Sequence, residues 1–113
     1  MISVEFTRDD DRRCVRLTVD GHAGSAPKGQ DIVCAAASLL IYIAAAIAQS
    51  AEDRFCDTDV DLCPGCSAVV IAADTEDEYE RIISEFDIVA LGYRLLADSY
   101  PDYVGLTLYG EVL

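Results

Sequence analysis

Ile2, Val4 and Phe6 alternate with polar residues, and Val15, Leu17 and Val19 alternate again beyond the turn Asp9-Asp10-Asp11. Alternation at period two marks a half-buried strand, so residues 2–20 read as a hairpin. Gly21 to Gln30 reads as a loop of small residues with Pro27. Val33 to Ala48 is then apolar except for Ser38, with Tyr42 amphipathic. Asp31 is placed to cap a helix running to about Ser50. Arg54–Leu62 and Ser67–Ala73 form a second hairpin, turned by Cys63-Pro64-Gly65-Cys66, because Pro then Gly suits the central positions of a type II turn. Thr75-Glu76-Asp77-Glu78 is a capping box. Tyr79, Ile82, Ile83, Phe86, Val89, Ala90, Tyr93, Leu96 and Ala97 follow it at helical spacing until Pro101. Tyr103 to Val112 reads as a last strand.

The order β-β-α-β-β-α-β predicts an α+β fold, a single layered domain over residues 1–113 with a central buried helix. The second helix has one apolar face. The first is apolar all round and needs cover from the sheet, the second helix and a second copy of the chain. Left alone, it exposes more apolar surface than a soluble monomer usually tolerates. We therefore expect a homodimer, its contact face left open by the sequence but better suited to Tyr42 and the later turns than to the Cys34 end, which substrate must reach. The apolar run is shorter than the roughly 20 residues a bilayer needs. Acidic residues flank it and no Lys/Arg belt adjoins it, so it reads as a core helix, not a membrane span.

Charge narrows the partners. Eight Lys and Arg face 21 Asp and Glu, a net charge of −13. Such a surface repels phosphate backbones and anionic membranes, which argues against nucleic acid and points to basic partners or to solubility alone. Met1 to Glu5 shows no basic stretch before an apolar run, so no signal peptide is expected. Five cysteines, an odd number without a framework, fit a reducing cytoplasm.

The candidate chemistry is a thiol and an imidazole. His22, the one histidine of the chain, should sit just past a strand. Cys34, twelve positions later, should sit in the first turn of the apolar helix. There unpaired backbone N–H groups and the helix dipole favour a thiolate. Those same amides, near Cys34 and Ala35, are a plausible oxyanion hole. An imidazole close by can take the thiol proton, which is the minimum machinery for thiol nucleophilic catalysis. A loop carrying Gly24 and Gly29 can fold over a bound peptide. Each residue also has a plain structural reading. Free cysteine behaves as a small hydrophobe, and His22 can be a loop histidine bonded to backbone. Asp31 can cap the helix by accepting from the Cys34 N–H, or it can orient His22. The cap is the simpler role, since an anion beside a thiolate opposes its formation. Ser38, one turn after Cys34 on the same face, can line the site or bond backbone. Cys63 and Cys66 form one CxxC pair on a hairpin turn. Redox pairs generally start a helix and structural zinc needs four ligands, so no metal or cofactor is expected.

Gly21-His22-Ala23, then Gly29, Asp31-Ile32-Val33-Cys34-Ala35 and Ser38, resemble the ribosomal-processing cysteine protease family of Firmicutes and related bacteria. The likeness is tight over residues 21–38. Beyond that it rests on chain length and element order, and Cys63–Cys66 lies outside the family pattern. The resemblance implies a cytoplasmic, homodimeric endopeptidase. It would use His22 and Cys34 as its dyad to remove the N-terminal extension of the basic large-subunit ribosomal protein twenty-seven. The rival reading is a non-catalytic acidic dimeric module that binds a basic ribosomal protein.

Overall fold

The computed structural model describes residues 1–21 and 28–113, with residues 28–31 described by backbone alone. One six-stranded sheet carries both helices. β1 (Ile2–Asp9) and β2 (Cys14–Asp20) form the first hairpin, and α1 (Lys28–Glu52) follows. β3 (Asp57–Cys63) and β4 (Cys66–Ala72) form the second hairpin, and α2 (Glu76–Ser99), β5 (Val104–Leu108) and β6 (Glu111–Val112) complete the chain. The sheet order is β3-β4-β2-β1-β5-β6. All pairs are antiparallel except β1 with β5, which is parallel.

Both hairpins form where the alternation places them. Val4 faces Val19 and Phe6 faces Leu17 across the first, so one side of the ladder is continuously apolar. The second turns at Pro64-Gly65, and φ of +78° at Gly65 fits the type II turn. Thr75 is the N-cap of α2, its hydroxyl accepting from the Glu78 N–H at 3.2 Å. The last segment differs from expectation. Tyr103–Val112 is not one strand, because Tyr109 and Gly110 both take positive φ and fold β6 back on β5. Two left-handed residues in succession make the tight hairpin turn that matches strand twist.

The core lies between the sheet and the two helices. Phe6 packs edge-on against Phe86 and Tyr93, with ring centroids 6.3 and 6.0 Å apart. Val33, Ala37, Ile41, Ala44, Ala48 and Ala51 make the buried stripe of α1, and Tyr79, Ile82, Phe86, Val89, Tyr93 and Leu96 that of α2. Gly92 lets the helices approach, since a Cβ there would run into the Leu40 side chain.

Two expectations about α1 need correcting. The helix is buried on one face only, so it is not central in a single chain: Leu39 is 61 % exposed and Tyr42 57 %. Sheet and α2 cover the same side, as helices in a two-layer fold do. The helix also begins at Lys28, three residues before Asp31. Gly29 therefore belongs to α1 and not to a loop. One glycine costs a helix about 1 kcal/mol, which the further backbone bonds of an extra turn offset.

Candidate active site

Cys34 is half-buried on α1, packed at the edge of the core. It lines a cavity of about 390 Å³ between α1 and the β3–β4 hairpin. Ala37, Ser38 and Ile41 continue the α1 wall, as residues three to seven positions on from Cys34 must on a helix. Leu62 and the turn Cys63-Pro64-Gly65-Cys66 form the opposite wall, and Gly21 closes one end. Cys34 and Ser38 on α1 and Gly21 at the end of β2 thus share one space.

Gly21 is held tightly. Its N–H donates to the Gly65 carbonyl at 2.8 Å, which ties the end of β2 to the hairpin turn. Its φ is +95°, and a Cβ would collide with the Met1 carbonyl. Only glycine relieves both constraints. His22 and Gly24, the next two candidates along the chain, lie outside the described residues.

The longer α1 changes the roles assigned to its first residues. Asp31 is the fourth helical residue and Cys34 the seventh, in the second turn. Asp31 is therefore not the N-cap, which must precede the first helical residue. The Cys34 and Ala35 amides lie inside the helix, where each points at the carbonyl four residues back. They are committed to the helix and do not form an oxyanion hole. Ser38 stays on the cavity wall, exposed, one helical turn after Cys34.

Sequence reasoning missed the far wall. Leu62 and Gly65 carry no chemistry, so no motif marks them. Their place follows from β3–β4 folding beside α1. Tyr42, favoured above for a dimer contact, lines the cavity as well. The thiols of the turn are a separate matter. Cys63 and Cys66 face each other across the hairpin, and Cys66 also faces Asp20. Cys63 Sγ donates to Asp61 Oδ1 at 3.0 Å. A hydrogen bond from each thiol to its carboxylate, Asp61 for Cys63 and Asp20 for Cys66, pushes both thiols above their usual range. Both are kept protonated, the unreactive form. Among the described residues, no three His, Cys, Asp or Glu side chains are grouped to hold a metal ion.

The pattern of the cysteine protease Prp family matches residues 1–105. Ribosomal processing cysteine protease Prp of Mycoplasma genitalium is 31 % identical over 88 residues, 78 % of this chain and 82 % of that protein. Its namesake from Mycoplasma pneumoniae is 29 % identical over 89 residues, 79 % of this chain and 82 % of that protein. A Streptococcus mutans protein of known crystal structure is 28 % identical with a TM-score of 0.65, covering 96 % of this chain and 94 % of its own. The fold is also that of the essential ribosomal processing protease Prp of Staphylococcus aureus, solved with a covalently linked product peptide. That match has a TM-score of 0.67 at 22 % identity and covers 96 % of this chain and 99 % of the other. A family pattern that spans the first hairpin, the helix bearing Cys34, the hairpin facing it and α2 leaves one conclusion: the chain belongs to the cysteine protease Prp family, the ribosomal-processing cysteine proteases.

Proposed function

We propose that this protease removes the N-terminal extension of the large-subunit ribosomal protein twenty-seven, with Cys34 as nucleophile and His22 as base. The supporting observation is the cavity itself. Cys34 lines it, and so does Gly21, the residue bonded to His22. Adjacency to Gly21 in the sequence is what recommends His22, the one histidine, as the base.

His22 takes the proton from Cys34 Sγ, and the thiolate attacks the scissile carbonyl carbon. The C–N bond breaks, the amine leaves with the proton held by the imidazolium, and a thioester remains on Cys34. Water, deprotonated by His22, hydrolyses the thioester and restores the thiol. Ser38 supplies a hydroxyl beside the thiol to bond substrate backbone. The resulting basic tail of the ribosomal protein suits a surface of charge −13.

The protein works in the cytoplasm as a homodimer in this reading. The outer faces of both helices keep large apolar side chains in solvent, Leu39 and Ile43 on α1 and Ile88, Leu91 and Leu95 on α2. Light scattering at micromolar concentration should give twice the 12.2 kDa chain mass.

The deciding experiment incubates the protein with a peptide spanning the extension and the mature N-terminus. Mass spectrometry should show one cut and a transient adduct on Cys34. An intact peptide with tight binding would instead make this a non-catalytic module.

A further inference from the structure

The Cys34 cavity does not end at Leu62. A second cavity of about 460 Å³ runs on between α1 and β3, lined by Ala45, Ala46 and Gln49 on the helix and by Thr58 and Val60 on the strand. The two share Tyr42 and Leu62, so they form one continuous groove. β3 is the first strand of the sheet, with β4 on one side and, among the described residues, no strand on the other. Its backbone is a free template.

The register says which groups are free. A two-residue turn is closed by a hydrogen-bonded pair, here Cys63 and Cys66. Alternation along an antiparallel ladder then turns the N–H and C=O groups of Thr58, Val60 and Leu62 toward the open side. The side chains alternate too. Val60 faces the buried Val69 and Thr58 the buried Ile71, so these point to the helix side. Asp57, Asp59 and Asp61 point to the other face and are all exposed. An exposed edge strand is usually blunted by lysine or proline. This one carries three aspartates, which turn away anionic strands and welcome cationic ones.

We propose that substrate docks as an added strand along β3. The occupant is an extended peptide segment with apolar residues at alternate positions against Tyr42, Ala45 and Val60. Lysine or arginine at the intervening positions lies beside Asp57, Asp59 and Asp61. β3 has seven residues, so the added strand spans about seven residues at ~3.4 Å each. Main-chain bonds supply affinity and the two side-chain rows supply specificity, as in other strand additions. The proposal rests on Cys34 as the cleaving residue, because the groove matters for turnover only if it leads to the scissile bond.

Two measurements test it. Peptides that span the cleavage site are lengthened by seven residues on one side or the other. Lengthening on one side should raise kcat/KM at least tenfold through KM. Val60→Pro removes an N–H on the open side, where proline is tolerated in an edge strand. It should cut the ratio of long-peptide to short-peptide kcat/KM at least tenfold. N-methylation of alternate residues in the long peptide should do the same without altering the protein. Asp57→Asn, Asp59→Asn and Asp61→Asn together should bring a several-fold preference for Lys-bearing over Gln-bearing long peptides close to one. The second measurement is anisotropy of labelled long peptides on the Cys34→Ala protein, which reads docking even if no cleavage occurs. Equal kcat/KM for all lengths, indifference to N-methylation, or a Val60→Pro effect confined to self-association would overturn the proposal. Docking without cleavage would overturn the protease mechanism and leave the edge-strand site standing.

Discussion

The Tyr93 hydroxyl donates to the Ala37 carbonyl at 2.8 Å, a buried bond that pins α2 to α1 one turn beyond Cys34. Burial holds the Tyr93 phenol well above its usual range. Tyr93→Phe removes one buried bond and leaves the ring packed on Phe6. The loss should be about 1 kcal/mol, a fall in Tm of about 5 °C. Thermal unfolding followed by circular dichroism measures it, and an unchanged Tm would show that the bond contributes nothing net.

Cys34→Ala should abolish cleavage and leave the fold intact. The side chain is half-buried and the deletion small, so stability should drop by only ~1 kcal/mol. His22→Ala should lose activity comparably, and the double variant should be no slower than either alone, since members of one unit are not additive. Retained peptidase activity without Cys34 would sink the assignment.

Replacing Cys63 and Cys66 by Ser should leave activity and Tm nearly unchanged. Serine keeps a donor for Asp61 and Asp20, and the Pro64-Gly65 turn does not depend on sulfur. Stoichiometric zinc in the purified protein, lost in the double variant, would contradict this.

Alkaline pH should unfold the protein through its tyrosines. Burial, aided by Asp10, pushes Tyr79 up to about 12, and burial with the nearby Asp87 takes Tyr109 to about 12. A raised folded-state value means stability is full below the unfolded value of 10.0 and is lost as pH climbs toward about 12. The urea midpoint should hold from pH 8 to about 10 and fall between about 10 and 12, before the buried phenols of the folded protein ionise. Phenolate appearing at its ordinary pH in folded protein would show the phenols to be solvated.

Salt should slow cleavage of basic peptides at low substrate. From 0.01 to 0.15 M ionic strength the Debye length shrinks from roughly 30 to 8 Å, so distant carboxylates stop steering. Turnover at saturation should hardly change, because the chemistry at Cys34 is short-range. A neutral-tailed peptide is the control, and equal salt dependence for both would leave the charge serving solubility alone.

The alternating runs at Ile2–Phe6 and Val15–Val19, the Thr75 capping box and the Pro64-Gly65 turn were legible from sequence because each is a local signal. Period, cap and turn chemistry need no distant partner. The sequence also singled out Cys34 and Ser38, one helical turn apart, as candidates on one face. Tertiary structure decided what local signals do not carry. The start of α1 at Lys28 moved Cys34 into the second turn, because no sharp stop separates Lys28 from Asp31 in residue preference. The Tyr109-Gly110 turn went unread because tyrosine is not a usual left-handed residue. The far wall of the cavity, from Leu62 to Gly65, exists only because β3–β4 folds beside α1. Its hold on Gly21 is a backbone bond across more than forty residues of chain. Backbone bonds of that reach leave no trace in side-chain pattern.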